Sequence, residues 1–318
     1  MRTRKLALIP PLVLLAAGCG PAASGGSGSG GAVEIVVPYA AGGGTDQTAR
    51  QLATAAEKTC GFNTVVSNKE GAGGAIGFQA AADADPDGST LGIVTAEVAM
   101  LAHRGVTDVT PDDMDGVLQY NFDPAALTVD AGSDYDSVHD VIEAADRGAG
   151  ATIGTSGAGS IWEAAAKGLA AEEGVEMTYA PFEGAAPAIT AVLGGQVDAT
   201  TVSGAEVRAQ VESGELNSLA VMGEERLSFL PDTPTLREEG IDWISGTWRG
   251  VAVPEGTPQE TVAELETCFN EAARSEAFTS FMEKGGFGVR YRGAEEFDSF
   301  MDAEYEHFGQ TMGGAGNE

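Results

Sequence analysis

Three joins between a strand-like run and a helix-like run carry the residues of this 318-residue chain best suited to chemistry. They are AAGGGTDQTAR at 40–50, GTSGAGSIWEAA at 154–165 and PFEGAAPAITAV at 181–192. Each sends a turn of glycine or other small residues into a helix start, where unpaired N–H groups and the positive dipole end favour an anion. Gly42, Gly43 and Gly44 let the main chain itself approach a ligand, with Thr45 or Asp46 expected to cap the helix. Ser160 and Glu163 have the spacing of a capping box, and Gly184 stands three residues before Pro187 on the third join. In an open α/β sheet such turns gather at the carboxyl ends of the strands, where ligands bind. One such loop is an ordinary connection; three, spread over both halves of the chain, point to a cleft between two lobes.

Other chemistry has little to draw on. Gly71-Ala72-Gly73 is followed by Ile76 where a dinucleotide fingerprint needs its third glycine. GTSGA has Ala158 where a nucleophile elbow needs glycine, and no Walker lysine follows any glycine loop. Asp46 and Asp198 are single acids without a partner spaced for acid–base work. His103, His139 and His307 stand far apart, so neither a metal site nor a cofactor is expected. Binding is within reach of the loops, because a micromolar ligand needs about −8 kcal/mol and charge-assisted hydrogen bonds contribute about 1.5–3 kcal/mol each.

The elements that must position these loops alternate along the chain. EIVVPY reads as a strand buried on both faces of a parallel sheet; Ala49, Leu52, Ala53 and Ala56 then mark one helical face, which Gly61 closes as a C-terminal cap. NTVVSN and STLGIVTAE supply further strands. The alternation restarts near Leu127 with ALTVDA, then ATIGT, EMTYAPF, QVDATTV and SLAVMG, each separated from the next by a helix. This βα repetition predicts an α/β architecture with parallel sheets. GTWRGVAVP is a late strand, and the helix after it starts at a Thr257/Glu260 capping box with Pro258 in its first turn. Val262, Leu265, Phe269 and Ala272 share a face of that helix, beside Cys268, so it packs on a core already made and returns the chain to the first domain.

The N-terminus sets the compartment expected. Arg2, Arg4 and Lys5 precede an apolar run, Leu6 to Ala17, that is too short and too rich in proline to span a bilayer but suits a signal peptide over 1–18. LAAGC resembles a bacterial lipobox, with Cys19 as the lipidated residue; Ala16 stands where leucine is usual, and Leu15 one place earlier. Residues 19–31 form a Gly/Ser tether with a reach of roughly 20 Å. The protein is therefore expected on the outer face of the cytoplasmic membrane, held by its N-terminal lipid. Its 17 basic residues against 48 acidic ones, a net charge of −31, repel nucleic acid and anionic lipid. Beyond Cys19 only Cys60 and Cys268 remain; they can pair as a disulfide or lie buried separately, and the sequence leaves both open.

Seven stretches in order, VVPYAAGGGTDQTARQL, NKEGAGGAIGF, DPDGST, GTSGAGS, GAAPAITAVLGGQVDAT, LAVMGEERLSFLPDTPTLREEGID and TWRGVAVPEGTP, resemble the landmarks of the TctC or Bug solute-binding proteins of tripartite tricarboxylate transporters. The resemblance covers essentially the whole mature chain. It implies a two-lobe periplasmic-binding-protein-like fold, type II-like, each lobe a mostly parallel sheet flanked by helices. Lobe one would be 32–123 plus 245–318 and lobe two 124–244, joined by crossing strands. Such proteins grip carboxylates with backbone N–H groups and water rather than with a ring of arginines. Carried over, the ligand-binding residues are Tyr39, Ala41, Gly43, Gly44, Thr45 and Asp46 on the first loop, Thr155, Ser156, Ala158, Gly159 and Ser160 on the second, and Gly184 and Ala185 on the third. The chain departs from the family pattern at Phe182-Glu183-Gly184 and at Ile161-Trp162. If Glu183 faces the cleft it disfavours a tricarboxylate and favours a ligand with an amino group or less charge; if it points to solvent it does neither.

The function implied is capture of a small organic acid for the permease subunits of a tripartite tricarboxylate transporter. An orphan receptor feeding a membrane sensor kinase is the alternative; a secreted hydrolase built on Ser156 lacks its base, so no enzyme is expected.

Overall fold

Strand β1 (Val33–Val37) has no polar alternation because both of its faces are covered: Ile35 and Val37 pack into one helical layer and Val36 into the other. The structure, a computed structural model, describes residues 32–147, 151–182 and 184–313. The expected leader 1–18, the tether with Cys19, and Glu183 lie outside the described residues. β1 runs parallel to β2 (Thr64–Asn68) on one side and to β3 (Thr90–Thr95) on the other. Beyond β3 the sheet continues antiparallel through β9 (Gly246–Pro254) and β4 (Met114–Asp130), and β10 (Val289–Gly293) adds to β4. Helices α1 (Gly44–Cys60), α7 (Gln259–Ala273) and α8 (Glu276–Gly285) cover one face with Leu52, Ala56, Leu265, Phe269 and Phe278. α2 (Ala75–Ala82) and α9 (Ala294–Gly313) cover the other, through Phe78, Phe297 and Met301.

A second sheet repeats the plan. β5 (Thr152–Thr155) lies parallel between β6 (Thr178–Pro181) and β7 (Ala199–Ser203), while β4 pairs antiparallel with β7 and with β8 (Leu216–Val221). Its layers are α3 (Val138–Asp146) with α4 (Ile161–Glu173), and α5 (Ala185–Leu193) with α6 (Gly204–Ser213).

One strand serves both sheets. β4 follows β9 as far as the Pro124–Gly246 pair, and from Ala125 onward it pairs with β7 instead. Pro124, which has no N–H to give a ladder, sits at the changeover. The returning chain is laced in beside it: the N–H of Ala125 donates to the Ser245 carbonyl, and the N–H of Ser245 to that of Met222.

The α/β alternation holds, with three corrections. The chain does not restart near Leu127, because Met114 to Asp130 is one continuous strand. Each sheet is a parallel trio extended by antiparallel crossing strands, and β10 joins it without an apolar run to announce it. The Thr257/Glu260 box does not form: the Thr257 hydroxyl donates to the Pro254 carbonyl at 2.8 Å, and α7 starts one position later, with Pro258 as its cap. Gly61 does close α1 in the left-handed conformation, φ 72°, with its N–H on the Glu57 carbonyl. Cys60, the last residue of α1, is joined to Cys268 of α7 as a disulfide, Cα–Cα 5.7 Å.

Candidate ligand-binding cleft

A cleft of about 520 Å³ opens where the two sheets meet, lined from one side by Tyr39, Gly43, Gly44, Thr45, Thr95, Glu97 and Phe287 and from the other by Ile161, Trp162, Ser203, Ala205 and Glu206. Asp123, Thr247 and Arg249, on the crossing strands, form its floor.

The first loop enters as expected, although its helix starts earlier than expected. Gly43 is the N-cap, with no side-chain cap, so Thr45 and Asp46 already lie in the first turn of α1. Among the described residues no acceptor reaches the N–H groups of Gly44, Thr45 and Asp46, as follows from the geometry of a helix start. Gly44 has a packing reason to be glycine: a Cβ there would lie 3.1 Å from the Phe287 ring and 3.6 Å from Nη2 of Arg249. Asp46 does not line the cleft. It is buried beneath the loop and accepts from the Gly42 N–H at 2.8 Å, from Asn68 at 2.9 Å and from Arg50 at 3.0 Å. Burial pushes its carboxyl up, but Arg50, the Gly42 N–H and Asn68 outweigh burial and hold it below its usual value. Its role is to fix the loop. Ala41 is exposed and does not line the cleft.

Arg249 is the residue that sequence reasoning misses. Its Nε donates to Thr45 Oγ1 at 2.9 Å, and its Nη1 to Asn121 Oδ1 at 2.5 Å and Asp123 Oδ2 at 2.7 Å. Nη2 has no hydrogen-bond partner among the described residues. Burial opposes its charge, but Asp123, with Tyr120 and Glu97, outweighs burial and raises its pKa, so the guanidinium stays charged. A lone cation inside the apolar run TWRGVAVP is the available signal, since a buried arginine needs a partner.

Tyr39 donates its hydroxyl to Glu97 Oε2 at 3.0 Å, and its oxygen lies 2.8 Å from Thr95 Oγ1. Burial and then the Glu97 charge push its phenol well above the usual value, so it remains a donor. The Tyr120 phenol, beneath the floor and bonded to Thr48, is pushed by burial to about 12.

On the opposite wall the structure brings together fewer of the expected residues. Thr155, Ser156, Ala158, Gly159, Ser160, Gly184 and Ala185 do not line this cavity; the two residues that follow Ser160, Ile161 and Trp162, do. Ser160 caps α4 by accepting from the Glu163 N–H at 3.2 Å, but Glu163 reaches back to the Gly159 N–H, at 2.6 Å, so the box is shifted by one residue. Thr155 Oγ1 is buried without a partner among the described residues. The third helix start in the cleft is that of α6, where Ser203 and Glu206 do form a capping box; the start of α5, with Gly184 and Ala185, stays outside. Burial between the walls raises the Glu206 carboxyl above its usual value, although the side chain remains open to the cleft. Arg104 spans from the first side to the second loop, donating to the carbonyls of Gly159 at 3.2 Å and Ala158 at 3.4 Å.

Two α/β lobes on shared crossing strands, with helix starts from each facing one cleft, define a solute-binding protein of the two-lobe class. The chain belongs to the tripartite tricarboxylate transporter receptor family, TctC, whose model matches residues 48–314, a family of solute-binding receptors and not of enzymes. A TctC solute-binding protein from Polaromonas, solved without ligand, is 35% identical and superposes with a TM-score of 0.84 over 90% of this chain and 99% of its own. MatC from Rhodopseudomonas palustris, solved with bound malate, is 26% identical with a TM-score of 0.71 over 88% and 98%. A second R. palustris protein, solved with adipate, is 27% identical with a TM-score of 0.74 over 90% and 99%.

Proposed function

We propose that the protein captures a small organic acid in this cleft and delivers it to the membrane subunits of a tripartite tricarboxylate transporter. The observation that carries the reading is Nη2 of Arg249, which has no hydrogen-bond partner among the described residues and lies against the start of α1, 3.6 Å from where a Cβ on Gly44 would stand. A carboxylate set there meets a guanidinium and a helix start together, the combination that recognises planar anions. Malate and adipate in the two related structures are acids of the same class.

In this reading the lobes divide at 123/124 and 244/245, the positions where β4 and the returning chain change sheets. Tyr39, Gly43, Gly44 and Thr45 are first-loop contacts, with Asp46 behind them. Ile161, Trp162 and Ala205 complete the opposite wall, and residues 155–160 and 184–185 approach only as the lobes close. Cleavage before Cys19 and lipidation would leave the receptor tethered outside the cytoplasmic membrane.

Calorimetric titration or thermal shift with a panel of mono-, di- and tricarboxylates tests the function. A ligand at a hundred times its dissociation constant adds about 2.7 kcal/mol of stability. Arg249→Met should remove this response, and Arg249→Met with Asp123→Asn should also remove it without stranding a buried Asp123 charge. Binding of a neutral sugar with no response to any carboxylate would overturn the assignment.

A further inference from the structure

Four charged side chains line the cleft among the described residues: Arg249, Asp123, Glu97 and Glu206. Asp123 lies 2.7 Å from Arg249, so that pair is close to neutral as a unit. Glu97 and Glu206 remain, one on each wall, and among the described residues no lysine or further arginine lines the cavity to answer them. Glu97 is held in place by the hydroxyls of Tyr39 and Thr95, which both reach its Oε2, at 3.0 and 2.5 Å; its Oε1 takes no hydrogen bond from the described residues. Glu206 accepts the Ser203 N–H at 3.1 Å through Oε2 alone, again leaving Oε1 open. Both carboxylates line the same cleft as the Arg249 guanidinium. They therefore flank the same small volume as the anion-binding end.

A dicarboxylate set with one end on Arg249 and the start of α1 brings its other carboxylate toward two more carboxylates, with few counter-charges. Such like-charge juxtaposition is a means of rejecting a ligand, and it favours one whose far end is positive. Resting on the carboxylate reading above, we propose that this receptor takes a small zwitterion, with its carboxylate on Nη2 of Arg249 and the α1 start and its cationic nitrogen between Glu97 and Glu206. Trp162 provides a flat apolar wall, which suits a methylated ammonium as well as a primary one.

Matched pairs test this on the full mature chain by calorimetric titration: succinate against β-alanine, glutarate against 4-aminobutanoate, with glutamine, leucine and glycine betaine as further arms. The expected result is that at least one zwitterion binds tenfold or more tightly than the best diacid, and the arms show whether the nitrogen is primary or methylated. Glu97→Gln should weaken that zwitterion at least tenfold while diacid affinity rises. Glu206→Gln should act in the same direction, and Glu97→Gln decides if loss of the α6 cap unfolds the second variant; melting of the unliganded proteins monitors this. A diacid that binds more tightly than every zwitterion, or a Glu97→Gln protein with unchanged preference, overturns the inference while leaving the carboxylate reading standing. Binding of neither series overturns both.

Discussion

Asp298 shows how a single residue can make stability depend on pH. Its Oδ1 accepts the Gly116 N–H at 2.5 Å, and it is held where Gly116 leaves room, since a Cβ on residue 116 would lie 2.6 Å from that oxygen. Burial pushes its carboxyl up to about 6; the Gly116 N–H works against this, and Asp115 and Asp302 add to it. A carboxyl raised in the folded state stabilises most below its unfolded value and loses that contribution as pH climbs through the folded one. The contribution of Asp298 should therefore fall between about pH 4 and pH 6, by about 1 kcal/mol once screening of this half-buried group is allowed for. Asp298→Asn keeps the acceptor and should flatten that part of the curve, as read by urea unfolding at pH 4, 5, 6 and 7.

At the scale of elements, Arg104 spans the two sides of the cleft. Its guanidinium holds the carbonyls of Ala158 and Gly159 in the second loop, and a Cβ on Gly159 would strike it at 2.6 Å. Arg104→Ala should weaken ligand affinity about threefold to tenfold through faster dissociation, with little change in melting of the unliganded protein, as stopped-flow release would measure. How far such elements can be read from the sequence depends on what each pattern encodes. The βα alternation, the buried β1 and the first helix start are legible because apolar periodicity and glycine act locally. Arg249 is visible as a cation in an apolar strand, but strand periodicity does not say which other strand supplies its Asp123 and Asn121. The α6 start escapes notice because TTVSGAEVRA lacks the glycine run of the other joins, although Ser203 and Glu206 carry a capping-box spacing. On the second loop the glycines draw attention to residues 155–160, whereas the first turn of α4, just after them, lines the cleft in this structure.

At the scale of the whole molecule, the second sheet is an excursion from the first, and the Cys60–Cys268 bridge joins the chain on either side of it, across 208 residues. Closing so long a segment stabilises the fold by up to about 5 kcal/mol through the unfolded state. Cys268→Ser should lower stability by about 2–5 kcal/mol, and a reductant should lower the melting of the parent protein but not that of the variant. The bridge also makes a covalent circle that contains every strand and helix of the second sheet. One protease cut anywhere on that circle leaves a molecule of unchanged mass, apart from an added water, with both new ends still attached. Such a nicked receptor would run as a single band until a thiol separates it into two, and it would keep the halves of its cleft together after damage that would split an unbridged chain.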